Sequence, residues 1–190
     1  VGNKTWCDIN IDEVGGILTI TVPQIFLDGA VYPVKIDPTF GYTSAGASES
    51  NVADAIASDD TPTEAGTITS FSTNVNNYTS TQNLGNAIYS NSADAPSAKL
   101  AEDSGNVSVT GTGWWTTNLS YTFSASTKYW LAAWASGAAN AIRVAFDTAT
   151  ARGSYRTGIT FETWPDPFSQ SGGLDRRNSI YATYTASGAN

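Results

Sequence analysis

Apolar and polar residues alternate over many short stretches of this chain, and a 3.6-residue periodicity is nearly absent, which is the pattern of half-buried β-strands. Alternating runs bounded by Gly, Pro, Asn and Ser predict strands near residues 50–58, 66–76, 85–90, 99–103, 107–110 with 114–123, 128–136, 140–147, 153–160 and 179–185. Only residues 51–58, NVADAIAS, have a composition that would also suit a helical turn. The alternation is cleanest at 128–136. It puts Tyr129, Leu131, Ala133 and Ala135 on one face and Lys128, Trp130, Ala132, Trp134 and Ser136 on the other. Polar residues bound the second face at both ends, so it is expected to turn outward, and its two tryptophans must then be covered by another element or offered to a ligand. Trp115 shares a face with Thr117 and Leu119 and is assigned to the core; Trp114 points the other way.

Roughly eight or nine short strands with turn punctuation predict an all-β fold, an antiparallel β-sandwich of jelly-roll type over residues 39–190. Residues 1–38 read differently. Strands at 6–11 and 17–22 flank a Gly15-Gly16 turn, Pro23 stops the pairing, and a third short strand at 30–37 carries Pro33 as an edge marker. Three such strands bury little, so residues 1–38 are expected to be a small β-element that closes a preceding domain or forms a collar. Residues 161–178 read as one long loop with two prolines and adjacent glycines, and long loops in compact domains are often functional.

Composition narrows the function. Charged residues make up 14% of the chain and the net charge is −8, spread along the sequence. Such a surface repels a phosphate backbone, so nucleic acid is not an expected partner. No apolar run reaches the ~20 residues of a membrane span, and no signal segment opens the chain. The chain has no histidine and a single cysteine, Cys7, which excludes Ser-His-Asp and Cys-His catalysis, the usual zinc sites and an internal disulfide. It lacks methionine and begins at Val1, which fits a piece of a longer polypeptide. The profile is that of an extracellular, cell-surface or virion protein.

Several stretches together carry a resemblance: YPVKIDPTFGYTSAG (Tyr32–Gly46), NAIYSNSADAPSAKLA (Asn86–Ala101), the GWWTTNLS and STKYWLAAW pair within Gly113–Trp134, and the closing WPDPF and SIYATYT within Trp164–Thr185. They resemble a jelly-roll module that recurs in large bacterial surface proteins and phage structural proteins, similar in architecture to carbohydrate-binding modules. The resemblance implies an ancillary, non-catalytic module and transfers no ligand residues.

The residues themselves suggest a sugar site. Axial C–H patches of a sugar pack on the flat face of Trp or Tyr, and polar groups at the rim bind its hydroxyls. Trp114, Trp134 and Trp164 are the platform candidates, with Arg152, Arg156 and Asp166 as rim groups and the 161–178 loop able to close over one end. Arginines Arg143, Arg152, Arg156, Arg176 and Arg177 crowd the last quarter, where they suit acidic sugars or pair with the chain's own carboxylates. Asp59, Asp60 and Glu64 share a turn that could hold a structural Ca²⁺, although the spacing is not that of a dedicated calcium loop; no cofactor is required. Glu49, Glu64, Glu102 and Glu162, with Glu13, are the only glutamates for a glycosidase pair, and none lies in the middle of an aromatic strand. The expected partner is a polysaccharide or cell-surface glycan, and no enzyme activity is expected. A structural module of a phage tail, virion or surface fibre is the alternative, and a Lys–Asn or Lys–Asp crosslink through Lys4, Lys35, Lys99 or Lys128 stays open.

Overall fold

The structure, a computed structural model, describes residues 7–12, 17–28, 38–137 and 141–187. The chain divides between Ile36 and Asp37 into two compact units. In the first, β1 (Asp8–Asp12) and β2 (Ile17–Thr21) pair antiparallel from Asp8↔Thr21 to Asp12↔Ile17, as the alternation predicts. Pro23, which cannot donate to a ladder, follows the pairing, and a single helical turn, α1 (Gln24–Asp28), comes next. The sequence did not announce that turn; Gln24 Nε2 donates to the Asp28 carboxylate across it at 2.7 Å. The predicted Gly15-Gly16 turn and the strand at 30–37 lie outside the described residues, as do Lys4 and Lys35.

The second unit contains β3 (Thr39–Gly41), β4 (Ser48–Asn51), β5 (Ala55–Asp60), β6 (Gly66–Tyr78), β7 (Gln82–Ser92), β8 (Ala95–Glu102), β9 (Val107–Val109), β10 (Gly113–Phe123), β11 (Tyr129–Ala135), β12 (Ile142–Arg156), β13 (Gly172–Asn178) and β14 (Ile180–Ala186). Every pairing between them is antiparallel. Eight of these strands form two sheets with orders β3-β14-β6-β10 and β5-β11-β7-β8. Numbered one to eight along the chain, they read 1-8-3-6 and 2-7-4-5, the jelly-roll order of two interleaved Greek keys. Of the remaining strands, β9 pairs with the start of β7 and β4 with the start of β12. β12 pairs at its start with the end of β6 and at its finish with β5, so it ties the two sheets together, and β13 lies along it.

The core is what the alternation selects. Ile56, Leu84, Ile88 and Leu131 from one sheet meet Ile68, Phe71, Val75, Leu119, Phe123 and Ile180 from the other, all buried. At one end Phe40, Phe123, Tyr129 and Tyr184 pack as tilted and edge-on rings, with Phe123 and Tyr184 at 4.9 Å and 89°. Gly66 is required beneath them, because a Cβ there would lie 2.6 Å from the Tyr184 ring and 2.7 Å from the Thr185 carbonyl oxygen. One polar residue spans this interior. Asn86 donates to Thr73 Oγ1 at 2.8 Å and to the Ala132 carbonyl at 3.1 Å, and accepts from Thr117 Oγ1 at 3.1 Å, so the buried amide has partners in both sheets.

Three expectations change in this unit. Residues 51–58 form no helical turn: Asn51 Oδ1 accepts from the Ala53 amide at 2.9 Å, an Asx turn that separates β4 from β5. The strands expected at 140–147 and 153–160 are one strand, β12, whose pairing with β13 is bulged between Thr148 and Gly153; Ala151 there has φ 52°, and its amide donates to Asp175 Oδ1 at 2.9 Å. The back of the expected 161–178 loop is β13, a strand that two glycines and three charged residues conceal from any β-propensity reading.

Candidate functional site

Trp130 and Trp134 do turn away from the core of the sandwich, and the structure covers them. On the outer face of β5, β11 and β7 the register brings Asp59, Trp130 and Tyr89 into one row and Ala57, Ala132 and Ala87 into the next, with Trp134 opposite Gly85 beyond. The alanine row is a trough between large rings. Residues 157–171 cross it and drop in Trp164 and Phe168, with Ile159 and Phe161 alongside. Trp164 meets Trp134 at 5.4 Å and 75°, Phe161 meets Trp134 at 5.4 Å and 74°, and Phe168 meets Tyr89 at 5.0 Å and 76°. The polar edges of the buried rings are bonded: Trp130 Nε1 donates to Asn91 Oδ1 at 2.9 Å, Trp134 Nε1 to the Ala53 carbonyl at 3.1 Å, and the Tyr89 hydroxyl to the Pro165 carbonyl at 3.0 Å. Burial pushes the Tyr89 hydroxyl well above its ordinary pKa.

Two of the three expected platform residues are thereby removed from ligand reach. Trp134 is 1% exposed and Trp164 7%. The loop expected to close over an open site is a strap packed on a sheet. Its polar members hold it down: Asp166 Oδ1 accepts from the Lys99 amide at 3.1 Å, the Phe168 amide donates to the Ser97 carbonyl at 2.8 Å, and Arg156 Nη1 donates to the Ser169 carbonyl at 2.6 Å. Asp166 and Arg156 thus serve the strap and do not stand at the rim of an aromatic platform.

Arg152 is committed to the acidic turn. It donates to the carboxylate of Asp59, which is 5% exposed, and to the Asp59 carbonyl at 2.8 Å, while Lys128 Nζ lies 3.3 Å from the same carboxylate. Asp60 accepts from Arg177 at 2.9 Å and from the Gly41 amide, and Arg177 stacks over the Tyr42 ring at 4.9 Å. Glu64 points elsewhere and accepts from the Tyr184 hydroxyl at 2.7 Å. The three expected calcium ligands therefore do not converge, and among the described residues no group of three or more Asp, Glu, His or Cys side chains is placed to hold a metal ion.

Of the other carboxylates considered for chemistry, Glu13 lies outside the described residues and the rest have partners. Glu49 accepts from Arg143 at 2.7 Å, Glu102 from Lys99 at 2.7 Å and Glu162 from Asn106 at 2.7 Å. The Lys99 and Lys128 ammonium groups sit in ion pairs, with Glu102 and with Asp59 and Asp94. One carboxyl that the sequence reading passed over is unusual: burial pushes Asp103 up to about 6, and its Oδ2 is enclosed without a hydrogen-bond partner. Nothing in its local sequence, AEDSG, distinguishes it from an ordinary exposed turn acid.

Trp114 remains, and its surroundings were not anticipated. It lies on the outer face of the other sheet, 37% exposed, with the Tyr181 ring edge-on at 4.9 Å and 64°. Cross-strand register arranges this face in rows: Trp114 beside Asn74; Thr116, Ser72, Tyr181 and Gly41; then Asn118, Ser70, Thr183 and Thr39. Hydroxyls meet along it, Ser72 with Thr116 at 2.8 Å and Thr67 with Thr122 at 3.0 Å. The exposed part of this face is the outer edge of β10, where Trp114 is followed by the exposed Thr116, Asn118, Ser120 and Thr122, while Ser72 and Asn74 of β6 are buried beside it; an apolar plate here adjoins a row of hydrogen-bonding side chains.

The fold and this face define the class: an antiparallel jelly-roll β-sandwich with one outer face strapped over and the other exposing Trp114 and the polar outer row of β10. Beyond the class no particular relative emerges, since the chain matches no known family, no curated protein and no solved structure.

Proposed function

We propose that this chain is a non-catalytic carbohydrate-binding module, part of a larger extracellular, cell-surface or virion polypeptide, that holds a glycan against the Trp114–Tyr181 face. The observation that carries the reading is the exposed Trp114 indole on a rigid sheet, with the exposed side chains of Thr116 and Asn118 following it along β10 and the buried Ser72 and Asn74 of β6 beneath. A flat ring accepts the C–H face of a sugar, and short polar side chains at strand spacing meet its hydroxyls with little side-chain entropy to lose. The resemblance of the sequence to modules of surface and phage proteins agrees with this reading. Affinity of this kind is modest, because one or two stacked rings must offset the entropy of association.

Affinity electrophoresis in gels containing soluble polysaccharides tests it. The wild-type protein is expected to be retarded on at least one glycan, and Trp114→Ala to run freely while melting within about 1 kcal/mol of wild type, since the ring is already partly in water. Retardation of both proteins alike would move the site elsewhere. A structural role in a fibre or virion is the second reading, favoured by Ile25 at 85% exposed and Ile20 at 44% in the first unit, apolar side chains suited to a chain-to-chain contact. Concentration-dependent self-association in sedimentation, abolished by Ile25→Ser, would support that role.

A further inference from the structure

The open sheet has a property that goes beyond the presence of an aromatic plate. Not one residue of β3, β14, β6 or β10 is Asp, Glu, Lys or Arg. The charged residues of the unit gather instead on the other strands and turns, where Asp59, Asp60, Lys128, Arg152 and Arg177 form one network and Glu49 with Arg143 a pair. The arginines that would have gripped an acidic sugar are engaged there: Arg143 on Glu49, Arg152 on Asp59, Arg177 on Asp60, Arg156 on the Ser169 carbonyl, and Arg176 stacked over the Phe146 ring with its Nη1 on Ser50.

We infer that the ligand of this face is a neutral glycan, one without uronate, sialate, sulfate or phosphate groups, lying across the strands from Trp114 toward β14. The inference rests on the carbohydrate-binding reading above and narrows it. Three physical reasons converge. A buried or partly buried anion needs a charge-assisted partner, and none of the four strands supplies one; Arg177, which reaches the Gly41 carbonyl at the β3 edge, is already paired with Asp60. The chain's net charge of −8 adds a repulsive field against any polyanion. Ser, Thr and Asn side chains both donate and accept, which matches the two-way hydrogen bonding of sugar hydroxyls and not the acceptor-only surface of a carboxylate or sulfate. With strands ~4.8 Å apart the face spans ~14 Å from β3 to β10, room for several linked sugars lying flat.

The experiment is affinity electrophoresis of wild type, Trp114→Ala and Trp114→Phe on two sets of gels. One set contains neutral polymers (mixed-linkage β-glucan, galactomannan, soluble starch), the other acidic ones (polygalacturonate, alginate, hyaluronan, heparin). The two substitutions are exposed, and thermal melts confirm that both variants are folded. Retardation is expected on a neutral polymer only, weakened at least about tenfold by Trp114→Ala and largely restored by Trp114→Phe. It is expected to hold from ~0.1 M to ~1 M salt, over which the screening length falls from about 10 Å to about 3 Å. Trp114-dependent retardation on an acidic polymer that fades with salt would overturn the neutral-ligand inference and leave the carbohydrate-binding reading standing. Retardation indifferent to both substitutions, or none on any polymer, would overturn the two together.

Discussion

At the scale of single residues, the positions that matter most are those whose surroundings contradict their chemistry. Asp103 is an acid whose Oδ2 is enclosed without a partner, and burial lifts its pKa from 3.8 to about 6. The folded chain therefore holds this proton more tightly than the unfolded one. The protonated carboxyl favours the fold below pH 3.8, and that contribution is lost as pH rises through about 6. Asp103→Asn, which keeps the shape and removes the charge, is expected to be more stable than wild type above about pH 6, by about 1 kcal/mol after allowance for solvent access, and to match it near pH 3.8. Thermal melts across that range check the sign: a variant less stable than wild type at pH 8 would show that the ionised carboxylate is a needed acceptor.

At the scale of elements, the strap over β5, β11 and β7 is the feature that reverses the obvious reading of the tryptophans. Sheet faces of jelly rolls are either solvated or covered, and here covering requires an alanine row to make room for rings from a segment more than twenty residues downstream of β11. Trp164 packs against both Tyr89 and Trp134, so Trp164→Ala is expected to cost about 3–5 kcal/mol in denaturant unfolding through the cavity it leaves. Because the strap has its own contacts, loss is expected to begin there. Limited proteolysis should cut within residues 157–171 before any core strand, and acrylamide should newly quench Trp134. Cutting elsewhere first would mean that the strap and the sandwich unfold as one body.

At the scale of the sandwich unit, the division of charge is the organising fact: one sheet carries none, and the ion network gathers at the other. Arg152 is the keystone of that network because Asp59 is nearly excluded from water. Removing the cation beside a buried carboxylate strands its charge, so Arg152→Ala is expected to destabilise the fold by about 2–4 kcal/mol, the lower end reflecting the part-exposed Arg152 side chain and Lys128, which still faces the carboxylate at 3.3 Å. Arg152→Ala combined with Asp59→Asn should recover part of that loss, a double-mutant comparison that separates the pairing from simple loss of packing. The same variants should leave glycan retardation unchanged if binding belongs to the uncharged sheet.

The amino-acid sequence determined the all-β character, the two faces of 128–136, the core placement of Trp115, Thr117 and Leu119 and the pairing of 8–12 with 17–21, because these follow from a period of two and from turn chemistry acting over a few residues. It determined the uncharged character of the open sheet as well, since that is a property of which residues occupy four stretches. Tertiary structure alone decided which face each sheet would leave open. The outward tryptophans of β11 were legible in the pattern, but their covering depends on loop rings packing on alanines far away in sequence. Likewise β13 forms because β12 lies beside it to be paired, and Arg152 is spent on Asp59 because the fold brings residues 93 positions apart within hydrogen-bond reach. Local alternation fixes which side a residue faces; what waits on that side is set by long-range contacts that no local pattern encodes.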